Sequence, residues 1–174
     1  MRLLAALAFV ALVAGCAGEG APPRAQILRA ALLADPQPVL EVTLDLGFSP
    51  VMLEALERGI ALELVLELAG RDGDTRLAER RTLRLRYLPL VRRWQLRDAS
   101  GAERHFARRA QLLAALDRVR IPLDGAWLAL RARGEFTLRV SFDTSALPGP
   151  LRLPALLRAD WRMPTASYAW HAAS

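Results

Sequence analysis

The stretch IALELVLELAGRDGDTRLAERRTLRLRYL, residues 60–88, decides the fold. In Ile60–Leu68 every second residue is apolar: Ile60, Leu62, Leu64, Leu66 and Leu68 point one way, and Glu63 and Glu67 point the other. Leu83, Leu85 and Tyr87 alternate in the same manner with Thr82, Arg84 and Arg86. Strict alternation of this length is the mark of an antiparallel strand with one face in a core and the other in water. Between the two runs stands GRDGDTR, whose Asp72-Gly73 pair is a hairpin-turn signal. A slip of one residue would turn the leucines outward, so the register is confined to one parity. One allowed register sets Glu63 opposite Arg84 and Glu67 opposite Arg80. Such exposed cross-strand pairs contribute only a few tenths of a kcal/mol each and act more on register than on stability.

The same period recurs on both sides. In Val39–Leu46, Leu40, Val42, Leu44 and Leu46 alternate with Glu41, Thr43 and Asp45. Trp94 and Leu96 alternate with Arg93, Gln95 and Arg97. In Gly134–Phe142, Phe136, Leu138, Val140 and Phe142 alternate with Glu135, Thr137, Arg139 and Ser141. Gln26–Leu33 suits a helix or a strand; the turn DPQP that follows favours a first hairpin. Two helices interrupt the strands. In SPVMLEALERG, Ser49 caps, Pro50 occupies the first turn and Gly59 supplies the left-handed stop. In ARRAQLLAALDRV, Ala110, Leu113 and Ala114 form an apolar stripe that continues at Leu116. Pro148, Pro150 and Pro154 exclude a central strand after Asp143. The expected fold is mainly β (α+β), an antiparallel β-sandwich-like domain with two short helices. The core includes Trp94, and Trp161 and Trp170 pin the C-terminus to it.

The length of 174 residues suits one domain. Hydrophobic residues at 53% and charged ones at 24% fit a packed core and exclude bulk disorder. The basic residues number 24 against 18 acidic, a net of +6, and all 24 are Arg. Their distribution is uneven. Residues 35–74 sum to −7, residues 76–120 to +9. Two readings follow from this segregation. The halves neutralise each other across a sheet, or Arg92, Arg93, Arg97, Arg104, Arg108 and Arg109 survive as a basic patch that docks on an anionic surface.

The N-terminus, MRLLAALAFVALVAGCAGEG, reads as an address. Arg2 precedes an apolar run, Leu3–Val13, too short for the roughly 20 residues of a membrane-spanning helix and suited to a signal peptide. Val13-Ala14-Gly15-Cys16 resembles a bacterial lipobox. An alternative is ordinary secretion with cleavage after Ala17. The chain's single Cys stands at the lipobox position, which favours the lipoprotein. The expected divisions are a signal peptide over 1–15, the lipidated Cys16 with a flexible tether over 16–24, and one β-rich domain over 25–174. Acyl chains on Cys16, palmitate among them, would each add about 0.8 kcal/mol per buried methylene, a lasting hold on a membrane. Ala17 stands where an Asp would resemble an inner-membrane retention signal, so the expected location is the outer membrane, facing the periplasm. Nucleic acid is a poor partner for an exported chain.

Residues suited to chemistry are sparse. One Cys permits no internal disulfide and no Cys-cluster metal site. His105 and His171 lie far apart in no recognisable motif and are expected to be exposed. Glu63 and Glu67, the spacing of a carboxylate pair, point to the wet face with Arg nearby. The segment AGRDGD lacks the glycine spacing and the Lys of a phosphate loop. No catalytic residue, metal or cofactor is expected.

Four stretches together carry a resemblance: SPVMLEALERGIALEL, LRLRYLPLVRRWQL, FDTSALPGPLRLPALL and ADWRMPTASYAW. Their order and spacing resemble a proteobacterial family of exported proteins described as a domain of unknown function, over about residues 25–171. Genes of that family often lie near an NtrY-type two-component sensor kinase and a ribosomal RNA methyltransferase. The resemblance implies no catalytic residues; through the gene neighbourhood it implies an envelope role linked to signalling. The same motifs have structural roles. Leu56, Gly59 and Ile60 end a helix, Tyr87, Pro89 and Trp94 mark a corner, and Asp143, Pro148 and Pro150 shape an exit from a strand. The functional expectation is a non-enzymatic envelope interaction module whose partner is an envelope protein or an anionic surface. The alternative is a carrier of a small apolar ligand or lipid, which needs a cavity between the sheets.

Overall fold

The computed structural model describes residues 21–34 and 37–172. The expected signal peptide, Cys16 and most of the tether lie outside the described residues. Nine strands are described: β1 (Arg24–Ala34), β2 (Pro38–Gly47), β3 (Leu62–Asp72), β4 (Thr75–Leu88), β5 (Arg93–Arg97), β6 (Glu103–Phe106), β7 (Arg118–Pro122), β8 (Glu135–Phe142) and β9 (Ala166–His171). They form an antiparallel three-stranded sheet, β1-β2-β7, and an antiparallel six-stranded sheet, β6-β5-β4-β3-β8-β9. The α-helices are α1 (Pro50–Glu57), α2 (Arg109–Ala114) and α3 (Gly149–Leu157). Short 3-10 turns cover Gly125–Leu130, Thr144–Ala146 and Ala159–Trp161. The mainly β, α+β architecture agrees with the reading of the sequence.

The hairpin of β3 and β4 has the parity that alternation demands and, within it, the register that sets acids opposite arginines. Glu63 lies opposite Arg84, Glu67 opposite Arg80 and Asp72 opposite Thr75, with the turn at Gly73 in the left-handed region at φ 54°. On β3, Leu62, Leu64, Leu66 and Leu68 are buried; on β4, Leu83 and Leu85 join them. β8 flanks β3 on the other side and adds Phe136, Leu138 and Val140 to the same face. Leu40, Val42, Leu44, Val119 and Ile121 of the small sheet belong to the same core. Trp94 is buried there, its ring centroid 4.6 Å from Tyr87 at the β4–β5 corner.

The sheet is wider than period two alone revealed. β6, β7 and β9 are too short or too mixed to stand out by alternation. Only their pairing with β5, β2 and β8 makes them strands. β9 carries the expected pinning role of Trp170, stacked at 5.1 Å on Phe136, while Trp161 stacks at 6.2 Å on Phe142. Two further details depart from expectation. Helix α2 spans one turn and a half, and it buries Leu112, followed by Leu116, where a stripe of Ala110, Leu113 and Ala114 is expected; Ala110 and Ala114 are exposed. The following residues turn into β7 before another helical turn forms. The proline-rich segment contains α3, a third α-helix beside the two expected. Pro150 sits in its first turn, where no amide hydrogen is needed, and Pro154 removes a single helical bond.

From Thr75 to Leu83, β4 has no partner opposite β3 among the described residues, since β5 pairs only with Arg84–Leu88. Open edges invite pairing with other chains, and inward-pointing charge is a known defence. Glu79 and Arg81 share the parity of Leu83 and Leu85, and Arg81 Nη1 lies 3.2 Å from Glu79 Oε1. Above β3 the core is closed by Trp127 and Leu130 of the 3-10 turn. They fit because Gly70 has no side chain: a Cβ there would lie 2.7 Å from Leu130 Cδ1 and 2.8 Å from Trp127 Cζ3. Gly70→Ala is therefore expected to cost about 1–3 kcal/mol by overpacking. A urea-unfolding midpoint equal to that of the parent would refute this account of the packing.

Candidate interaction surface

The six-stranded sheet has two ends. At one is the Gly73 hairpin turn. At the other, β3 begins, β4 and β8 end, and the connecting segments gather. Helix α1 lies across this second end. Its first turn is held by Ser49, a buried residue whose Oγ accepts the Met52 amide at 3.2 Å and donates to the Asp160 carbonyl at 2.5 Å. The hydroxyl thus caps α1 and joins it to the turn before β9. At the far end of α1, Gly59 adopts φ 83°. The Ile60 amide donates to the Ala55 carbonyl at 3.1 Å and the Gly59 amide to the Leu56 carbonyl at 2.9 Å, a Schellman stop. This stop brings Gly59 against the Tyr87 carbonyl and the Pro89 ring, beside the β4–β5 turn. Helix α3 packs against the Ala159–Trp161 turn, on the other side of α1. β1 starts here too, with Arg24 opposite Gly47, two residues before Ser49.

The six arginines of the expected patch take separate places around this end. Arg92 and Arg93 follow the Pro89–Leu90–Val91 turn; both are exposed, and Arg92 holds φ 50°. Arg108 precedes α2 and is exposed, its amide donating to Gln111 Oε1 at 3.2 Å. Among the described residues no carboxylate comes within 4.0 Å of these three guanidinium groups. Arg104 packs over the Phe106 ring at 5.2 Å, on the inner parity of the edge strand β6. The other two are engaged with acids. Arg109 pairs with Glu57 of α1, and Arg97 Nη2 lies 2.5 Å from Glu103 Oε1. The hydrogen bond from Arg97 is the main reason why the Glu103 carboxyl is held below its ordinary pKa. Glu63–Arg84 at 3.4 Å and Glu41–Arg120 at 3.5 Å are cross-strand pairs of acidic and basic segments, whereas Arg92, Arg93 and Arg108 stand unpaired among the described residues.

More unpaired arginine flanks α3, which the sequence did not mark as part of a surface. Arg152 Nε donates to the Leu147 carbonyl at 2.8 Å, and Arg162 Nη2 to the Leu156 carbonyl at 3.2 Å. These bonds satisfy carbonyls at the rims of the helix and leave the two positive charges without a carboxylate partner among the described residues. The Asp143 carboxylate, which leads the chain from β8 toward α3, is held below its usual pKa chiefly by the Ser145 hydroxyl at 2.6 Å.

The remaining residues with chemical potential are dispersed. His105 and His171 are exposed on different edge strands, and Glu63 and Glu67 stand on the outer face of β3. Among the described residues no three His, Cys, Asp or Glu side chains gather as a metal set. Open clefts of about 720 and 550 Å³ share a shallow floor of Ala69, Ala78 and Thr137 on the outer face of the large sheet. A smaller one of about 190 Å³, near β5 and β7, is lined by Leu83, Leu96 and Val119 together with Arg104, Arg118 and Arg120.

A family model for a domain of unknown function matches residues 29–171, all but the N-terminal part and the last three residues. The chain belongs to the DUF4390 family. No curated protein and no solved structure matches it. The DUF4390 match thus spans both sheets, α1 and α3, and takes in all six arginines of the expected patch.

The end surface depends on Ser49 for its assembly. Ser49→Ala removes the α1 cap and leaves the Asp160 carbonyl without its donor, an expected loss of about 1–3 kcal/mol in thermal or urea unfolding. An unchanged midpoint would remove Ser49 from this role.

Proposed function

We propose that this protein is an exported, membrane-tethered interaction module of the envelope that performs no catalysis of its own. The tether is Cys16, acylated after removal of residues 1–15. The module faces the periplasm from the outer membrane and contacts its partner through the end of the sandwich that carries Arg92, Arg93 and Arg108. The observation behind this reading is that these three exposed guanidinium groups have no carboxylate within 4.0 Å among the described residues, at an end where neighbouring Arg109 and Arg58 are paired with acids. Unpaired, solvated charge on one side of a domain attracts and orients an oppositely charged partner. The resemblance to exported proteobacterial proteins encoded near an NtrY-type sensor kinase supports a role beside membrane signalling.

Two measurements test the two halves of the proposal. Radioactive palmitate should label the chain and should fail to label Cys16→Ser; labelling that survives the substitution rules out this anchor. Affinity capture from intact envelope should recover fewer partners with Arg92→Glu, Arg93→Glu and Arg108→Glu combined, while the unfolding midpoint stays within about 0.5 kcal/mol of the parent, as expected for exposed sites. Capture that is indifferent to these reversals places the contact elsewhere. Arg109 is left intact in this variant, because reversing it would set two acids together at Glu57.

A further inference from the structure

We propose that the end of the sandwich crossed by α1 lies directly on an anionic phospholipid bilayer, with Leu90 and Val91 on one side of α1 and Leu153, Leu156 and Leu157 of α3 on the other entering the interface. The inference rests on the envelope reading above and names the partner of that same surface.

The first observation is the placement of exposed apolar side chains. Eight large hydrophobic residues are exposed among the described residues, and five of them are these. Leu90 is fully exposed at the tip of the β4–β5 turn, and Val91 is 61% exposed beside it. Leu153, Leu156 and Leu157 are 58–68% exposed, while Ala155 of the same helix faces the core. A concentration of exposed leucine on one end is unfavourable in water and marks a surface that is covered in use. Helix α1, about 12 Å long at 1.5 Å per residue, separates the two groups. Two apolar footholds spaced in this way suit a broad, flat partner better than a single pocket.

The second observation is charge. Arg92 and Arg93 follow the Leu90 tip, Arg108 follows the end of the adjoining strand β6, and Arg152 and Arg162 bracket the α3 leucines; none has a carboxylate within 4.0 Å among the described residues. Four acids of this end are paired with arginine, Glu54 with Arg58, Glu57 with Arg109, Asp160 with Arg158 and Asp45 with Arg24, and Asp143 is held by the Ser145 hydroxyl. Leucine flanked by unpaired arginine is the composition of an interfacial contact, with apolar groups at the acyl boundary and guanidinium groups among phosphates. The arginine stems add apolar length beneath their charged heads.

The third observation is the position of the chain's entry. β1 begins at Arg24 on this same end, next to Gly47 and α1. From Cys16 to Arg24 the chain spans at most about 28 Å when extended. An acyl group on Cys16 would therefore hold this end, and not the Gly73 end, against the bilayer. Footholds on the domain then fix its orientation on the membrane.

The test uses the full chain carrying Cys16→Ser, so that an introduced cysteine is the only thiol and no acyl chain contributes. An environment-sensitive fluorophore is placed in turn at Leu90→Cys, Leu157→Cys and Asp74→Cys, all on exposed positions. With phosphatidylglycerol vesicles the emission at 90 and 157 should move to shorter wavelength, and the emission at 74 should not. With phosphatidylcholine vesicles the response should be much weaker. Combined Arg92→Glu, Arg93→Glu and Arg108→Glu should lower partitioning to the anionic vesicles on the order of a hundredfold, at about fivefold per arginine. The proposal is overturned by silence at 90 and 157, by an equal response at 74, or by equal response to both lipids. Capture of the chain by an envelope protein through Leu90, with no signal on vesicles, overturns it in favour of a protein partner. Because acylation is absent from this experiment, failure of the Cys16 anchor and failure of the bilayer contact are read separately.

Discussion

Everything in this protein depends on a single strand buried between two others. β3 pairs with β4 along one side and with β8 along the other, and its leucines at 62, 64, 66 and 68 form the centre of the core. The side-chain period of a strand is two, so a shift of one residue would move all four leucines into water together. At roughly 1.5–3 kcal/mol per buried leucine, that penalty far exceeds what the ion pairs of the outer face contribute. The hydrophobic parity therefore governs pairing, and the charges adapt to it. Glu63 meets Arg84 because both occupy the wet parity of correctly paired strands.

The same constraint sorts the molecule into a scaffold and an exposed end. The long antiparallel strands carry their connections to the two ends of the sheet, and most of the helical segments collect where β3 begins. Ser49 and Gly59 hold α1 across that end through hydrogen bonds at both termini of the helix, of which the Ser49–Asp160 bond reaches a distant segment. The leucines on α3 and on the β4–β5 turn then stay outside the core, since the core is already filled by residues of both sheets. Their flanking arginines stay solvated for the same reason. An end of this kind is suited to contact, and the dispersed His and Glu residues elsewhere do not compete with it as a site.

Strong alternation made β2, β3, β5, β8 and the second half of β4 readable, and the Asp72-Gly73 turn made their hairpin readable. The caps of α1 were equally plain, because Ser49, Pro50 and Gly59 act over a few residues. Reading failed where stability comes from a neighbour. β6 and β7 are four and five residues long, and each is a strand only because β5 or β2 offers a ladder. In α2 the apolar stripe was misplaced because many residues of ARRAQLLAALDRV are apolar on every face, and the direction of the core selects Leu112 and Leu116. The prolines of α3 disguised a helix whose first turn needs no amide hydrogens.

Of the six arginines singled out from the sequence, the fold paired Arg97 and Arg109 with acids, set Arg104 on an aromatic ring, and left Arg92, Arg93 and Arg108 free of carboxylates among the described residues. Sequence proximity predicts charge density, and charge neutralisation depends on which strand or helix is brought alongside. The mainly β class, the parity of the long strands and the limits of α1 are legible in the residues alone, since each follows from local periodicity or local hydrogen bonding; the register of the central hairpin within that parity is fixed by the folded pairing. Only the tertiary structure decided the width of the large sheet, the direction in which α2 faces and the gathering of Leu90, Val91 and the α3 leucines at one end. Those features arise from contacts between residues distant along the chain, and no local pattern encodes them.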